Sequence, residues 1–160
     1  LGAGKIIATD LVDYRMQAAK NLGADFAFSA TDDISDRVRE VNDGRLADLV
    51  IVSTGAIPAL NQALESVDRG GTVLFFAPTE PGVTVPLSIN DVFFRNDATL
   101  TTTYAAAPGD LSTALEMIAN GRVQVGEMIS HRLGLGDTGL GFKITAEAKD
   151  SLKVVIQPQR

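Results

Sequence analysis

Few residues in this sequence have types and spacings that could do chemistry, and the first is Asp10. It closes the apolar run GKIIATD, and a helical pattern follows at once. A carboxylate in that place only accepts hydrogen bonds, so it suits a ligand offering two donors, such as the diol of a ribose. In a dinucleotide-binding βαβ unit an acid at the end of the second strand has this task, about 20 residues after a glycine-rich turn. Its charge would also repel a 2′-phosphate, which points to NAD rather than NADP. The same acid would serve as a cap for the helix behind it, and residue type alone leaves both readings open.

The glycine turn that should accompany such an acid is harder to find. GAGKII, residues 2–7, holds two glycines but precedes a strand instead of following one. GLGDTG, residues 134–139, matches G-x-G-x-x-G, follows a strand pattern and opens a helical one. The next strand ends on Gln157 and Pro158 with no carboxylate, so a helix-starting turn is the default and a phosphate site the alternative. His131 is the only histidine, and there is no cysteine. A lone histidine does not make a multi-ligand zinc site, so His131 reads as a structural or surface residue.

Composition narrows the rest. A chain of 160 residues can bury one substantial core but hardly two. A net charge of −6 supplies no basic face for a phosphate backbone, so no nucleic-acid partner is expected. No apolar run approaches the roughly 20 residues of a membrane span, so no membrane partner is expected either. The lack of cysteine excludes disulfides and a thiolate nucleophile and is compatible with a cytoplasmic setting.

Those residues need elements to position them, and strands and helices alternate along the chain. Residues 5–10 read as a strand, Asp13 as the cap of a helix carrying Tyr14, Met16, Ala18, Ala19 and Leu22, and Gly23 as its end. Residues 25–28 read as a short strand, and DDISDRVREVNDG as a helix with Ile34, Val38 and Val41 on one face. Residues 49–52 are uninterrupted and rich in β-branched side chains, the pattern of a strand covered on both faces. Pro58 opens the next helix, Gly70 and Gly71 end it, and TVLFFA is another strand. APTEPGVTVP is a loop, and a short helical stretch lies near residues 89–94. Thr99 to Tyr104 form a threonine-rich edge strand that invites pairing with another copy. A helix over 110–120, a strand over 127–133, a helix over 137–149 and a strand over 152–158 complete the chain. The alternation predicts an α/β fold, an incomplete doubly wound Rossmann-type parallel sheet with helices on both faces.

Four blocks, GAGKIIATDLVDYRMQAAKNLGAD, STGA, GGTVLFFA and SLKVVIQP, resemble the coenzyme-binding portion of the zinc-dependent medium-chain alcohol and polyol dehydrogenases. The resemblance implies a truncated NAD-binding domain over residues 1–125. Residues 126–160 would form a segment returning to a catalytic domain that is absent here. It implies that Asp10 holds the adenosine ribose, Leu11 borders the adenine and Arg15 lies over the ribose or adenine edge. Thr54 and Gly55 would approach the nicotinamide ribose, Phe76 and Ala77 would run along the nicotinamide, and Lys153 would reach the pyrophosphate. Without the family, Arg15 is a solvated helix residue, Thr54 a strand cap, Phe76 core and Lys153 a surface charge. Zinc is expected only in the missing domain, and the substrate class would be alcohols or polyols. This portion alone should lack dehydrogenase activity, with homo-oligomerisation through the Thr99 to Tyr104 edge.

Against the family pattern the chain would begin in front of the second coenzyme-domain strand, with residues 1–4 as the tail of the preceding helix. The absent first strand belongs at the centre of the order 3-2-1-4-5-6, between the strands at 5–10 and 49–52. Losing about five buried apolar side chains at roughly 2 kcal/mol each removes on the order of 10 kcal/mol, against about 5–15 kcal/mol for a whole domain. The two orphaned edges are therefore expected to pair directly or to accept a strand from another copy. Coenzyme affinity is expected to be poor, because the absent turn would have given the pyrophosphate its backbone donors. Two other readings are an S-adenosylmethionine-binding methyltransferase-like domain, whose sheet would carry a reversed final hairpin, and a non-enzymatic dimerisation module.

Overall fold

Short apolar runs and capped helical periods produce the alternation that the sequence predicts. The computed structural model describes residues 2–159. In chain order these form β1 (Ile7–Asp10), α1 (Asp13–Asn21), β2 (Phe26–Ser29), α2 (Ile34–Val41), β3 (Ala47–Val52), α3 (Ile57–Ser66) and β4 (Val67–Phe75). A π-helical segment, Asn90–Arg95, precedes β5 (Thr99–Thr102), and α4 (Pro108–Ala119), β6 (Ile129–Gly134), α5 (Thr138–Glu147) and β7 (Lys153–Gln157) follow. No helix among the described residues is long and apolar enough to cross a membrane.

The ladders are β1–β2, β3–β4–β5 and β6–β7, and all four pairings are parallel. The first two sets are the neighbours that the order 3-2-1-4-5-6 keeps when its first strand is left out. Parallel strands joined by helical crossovers are the Rossmann-type α/β architecture. The chain divides into two compact units. One runs to Ser29 and resumes at Ala106, and the other is Ala30–Ala105. In the second unit, Val52, Leu60, Ala63, Val67, Val73 and Ala98 form the core, with Val73 fully buried.

Five expectations change. Leu1 lies outside the described residues, and residues 2–4 carry no helix; Gly2 sits at φ +90°, and so short a piece cannot close a helical turn. Asp13 is the first helical residue rather than the cap: Val12 holds that place with extended backbone and no side-chain bond. Leu49 and Ile51 are each 55% exposed while Val52 is buried, so β3 is covered on one face only. The glycine pair does not end α3, which gives way directly to β4 at Val67. Ala47 pairs with Val67 and Leu49 with Thr72, so Gly70 and Gly71 lie in an irregular bend of β4, where Gly70 adopts φ +73°. Finally, β1 has only β2 as a hydrogen-bonded neighbour and β3 only β4, so the expected direct ladder between them is not formed among the described residues.

Local capping is explicit at α2. The Asp33 carboxylate accepts the Asp36 N–H at 3.1 Å and the Ser35 hydroxyl at 2.9 Å. These bonds, the Asp36 one foremost, hold its pKa below the ordinary carboxylate value. A carboxyl depressed in the folded state stabilises above its unfolded pKa, and that contribution is lost as pH falls through the folded value. Asp33→Ala should therefore lower the thermal midpoint at neutral pH. The gap should narrow once pH drops past about 4 and vanish below the folded-state value. Melting curves across that range, with a gap that does not depend on pH, would contradict this assignment.

Candidate functional site

Asp10 is the last residue of β1, and its side chain is 32% exposed. Its Oδ1 accepts the Val12 N–H at 3.0 Å, which turns the chain toward α1 without capping the helix itself. Its other oxygen stands 4.0 Å from Nη1 of Arg15, an ion pair too long to be a hydrogen bond. Arg15 reaches from α1 to donate from Nη2 to the Ser151 carbonyl at 3.4 Å. Its Nε is buried and has no hydrogen-bond partner among the described residues. Arg15 is thus no merely solvated helix residue. Leu11 is 72% exposed beside Asp10, and Lys153 is an exposed side chain at the start of β7, two residues beyond Ser151.

Four more expected residues gather in the second unit. Thr54 and Gly55 follow β3, and Phe76 and Ala77 follow β4. Both N–H groups of Phe76 and Ala77 donate to the Val52 carbonyl, at 2.9 and 3.2 Å, so the chain leaving β4 folds over the end of β3. A Cβ on Gly55 would stand 2.4 Å from the Pro78 oxygen and 3.1 Å from Thr79 Cα, so two backbones meet there with no room for a side chain. Thr54 Oγ1 accepts the Ala56 N–H at 3.3 Å, the local turn a strand-capping threonine makes. Phe76 is 61% exposed, against the core reading.

Asp10, Thr54, Gly55, Phe76 and Ala77 all sit at the carboxyl ends of parallel strands, where open α/β sheets bind ligands. The structure brings Asp10 and Arg15 together in one unit and the four residues of β3 and β4 together in the other. Sequence reasoning missed Ser151 and Pro78. Ser151 meets Arg15 across 136 positions of sequence, a contact that no local pattern signals. Pro78 sits in a loop readable only as a loop.

A buried guanidinium nitrogen with no partner among the described residues, in the side chain that pairs with a partly exposed carboxylate, fits the sugar end of a dinucleotide. Zinc is different. Among the described residues no group of three or more His, Cys, Asp or Glu side chains is placed to hold a metal ion, so the side chains described here do not fit zinc. His131 is half-buried in the β6–β7 ladder with Nδ1 3.0 Å from Ser130 Oγ, a structural place. GLGDTG forms a short 3-10 turn, Leu135–Asp137, leading into α5, with the Thr138 hydroxyl donating to the Leu135 carbonyl at 2.6 Å. That is the helix-starting turn. A shallow depression bordered by Tyr14, Gln17, Asn21 and Glu127 contains none of the expected coenzyme residues.

Residues 1–120 match the family model described as zinc-binding dehydrogenase. An alcohol dehydrogenase of Cupriavidus necator is 28% identical over 159 residues, covering 98% of this chain and 43% of that protein. The L-threonine 3-dehydrogenase of Bacillus velezensis is 30% identical over 158 residues, covering 98% of this chain and 45% of its own length. Among solved structures, the alcohol dehydrogenase of Thermus sp. ATN1 superposes with a TM-score of 0.82 at 30% identity, covering 98% of this chain and 45% of that one. The chain therefore spans less than half the length of these relatives.

Proposed function

Because the chain belongs to the zinc-binding dehydrogenase family, we propose that it is the part of an NAD-dependent alcohol or polyol dehydrogenase that holds the coenzyme. The observation that carries this reading is the pair at the end of β1: a carboxylate with an oxygen to spare, and a cation whose buried Nε lacks an acceptor among the described residues. Bound NAD supplies a nicotinamide that exchanges hydride with the carbon of an alcohol. The residues here bind and orient. Asp10 accepts from the adenosine ribose, with Leu11 and Arg15 beside the base and Lys153 toward the pyrophosphate. Thr54 and Gly55 meet the nicotinamide ribose, and the exposed Phe76 and the backbone of Ala77 meet the nicotinamide.

The division at residue 125, with the remainder returning to a catalytic domain that bears the zinc and the substrate groups, belongs to the same proposal. So do a cytoplasmic setting and the absence of dehydrogenase activity from this portion alone. NADH formation from a panel of alcohols with metal supplied would refute that last point. All four ladders are parallel, with no reversed hairpin among the described residues, which counts against the methyltransferase-like alternative. Amide chemical shifts settle the choice of ligand. NAD should move the resonances of Asp10, Arg15, Gly55 and Ala77 with affinity weaker than submicromolar, and S-adenosylmethionine should not. Shifts confined to other residues, or equal shifts from both ligands, would sink the reading.

We further propose a homo-oligomer through β5. That strand pairs with β4 on one side and ends the ladder on the other, with Thr99, Thr101 and Thr102 exposed. Thr101→Lys should turn a dimer into a monomer in sedimentation without lowering the melting midpoint. An unchanged sedimentation mass excludes this edge.

A further inference from the structure

The geometry points to Asn120 as a self-modifying site, an amide that becomes a carboxylate only when the end of α4 opens, so that the charge left behind records the opening. Of the six asparagines, Asn120 alone is followed by glycine. A glycine nitrogen is a good nucleophile in this place, because no Cβ crowds its approach. Once the Gly121 nitrogen gives up its proton it attacks Asn120 Cγ. The N–Cγ bond forms, the Cγ–Nδ2 bond breaks, and Nδ2 departs as ammonia with that proton. The cyclic imide then takes up water. Opening at one carbonyl gives aspartate, and opening at the other routes the main chain through the side chain as isoaspartate. The reaction involves no coenzyme, oxidant or reductant.

In the fold the reacting atoms are held apart. Asn120 closes α4 at φ −90° and ψ 10°, which eclipses the Gly121 nitrogen with the Asn120 nitrogen, whereas the imide closes only when it eclipses Cβ. The leaving group is tied as well: Nδ2 donates to the Glu116 carbonyl at 2.8 Å, and the Asn120 N–H donates to the same oxygen at 3.0 Å. The Gly121 N–H donates to the Ile118 carbonyl at 3.0 Å and the Arg122 N–H to the Met117 carbonyl at 2.8 Å, with Gly121 at φ +65°. Rotation into the reactive form breaks these bonds. The latch is nevertheless weak. None of the twelve residues of α4 is buried, and Leu111, Leu115 and Ile118 stand exposed, so little packing opposes fraying. Conversion also prevents a return. Either product lacks the Nδ2 donor, adds one negative charge to the net −6, and places it at the negative end of the helix.

Peptide mapping by mass spectrometry tests this on the full chain, held in mildly alkaline buffer with and without guanidinium chloride. In the folded chain position 120 should become a mixture of aspartyl and isoaspartyl forms while Asn21, Asn42, Asn61, Asn90 and Asn96 keep their amides. Its rate should be roughly tenfold or more below that in denaturant, the slowing that an opening free energy of about 1.4 kcal/mol gives. Ala119→Gly loosens the last turn at an exposed position. It should speed conversion in the folded chain roughly two- to fivefold and leave the rate in denaturant unchanged. Asn120→Asp reproduces one product directly, and amide exchange at Gly121 and Arg122 should quicken roughly two- to fivefold. Equal rates in folded and denatured chain overturn the latch, and so does an Ala119→Gly variant that converts no faster than wild type. Faster conversion of another asparagine in the folded chain overturns the choice of Asn120, and unchanged exchange in Asn120→Asp overturns the claim that the product keeps the helix end open.

Discussion

Gly55→Ala is expected to destabilise the protein by about 1–3 kcal/mol, the range for forcing atoms into an already filled space. The added carbon would stand 2.4 Å from the Pro78 oxygen, with Pro78 C at 3.3 Å and Thr79 Cα at 3.1 Å. All three are backbone atoms, so no side chain can swing aside. The loop after Phe76 would have to move, and Phe76 and Ala77 are tied to the Val52 carbonyl at its root. Chemical denaturation should show a lower midpoint with an unchanged slope. The same substitution at Gly109, where an added carbon meets nothing within 4 Å, supplies the comparison. Equal stability of the two variants would mean that the close approach at Gly55 has been misread.

Leu60→Ala should cost more, about 2–5 kcal/mol. Leu60 is 4% exposed and packs with Val52, Ala63, Val67, Val73 and Ala98, so its truncation removes buried surface and leaves a cavity. Against a total of about 5–15 kcal/mol, this is a large share of what holds a domain folded. Leu49→Ala makes the contrast: the same change at a side chain 55% exposed should fall within about 0.5 kcal/mol of wild type. Denaturation midpoints for the two variants decide it. A loss at Leu49 comparable to that at Leu60 would mean that the outer face of β3 is covered in solution.

That contrast also marks how far the sequence could be read. The run LVIV announced a strand, because β-branched side chains suit a pleated surface, but composition cannot say which neighbour covers each face, and Leu49 and Ile51 are left exposed. Gly70 and Gly71 resembled a helix terminus. They serve instead in a bend of β4, where an added carbon on Gly71 would meet Val67 Cγ2 and the Asp68 oxygen, each at 2.8 Å. Local signals named the residue type that a tight place requires and missed which tight place it was. Asp10 was legible because its position at a strand end is itself local. Its neighbour's anchor at Ser151 was not, since tertiary pairing alone joins α1 to the approach of β7.

The two compact units differ in how their parts are distributed along the polypeptide. Ala30–Ala105 is continuous, whereas its counterpart is assembled from stretches on either side of it. Closing a long loop costs entropy before any contact rewards it, and distant pairings slow folding. During synthesis the continuous unit can take shape as soon as β5 has left the ribosome. The first βαβ, already made, must wait for β6 and β7 before its surroundings exist. Translation order therefore completes the close approach of Gly55 to Pro78 before the contact of Arg15 with Ser151, and a stalled chain would present the former without the latter.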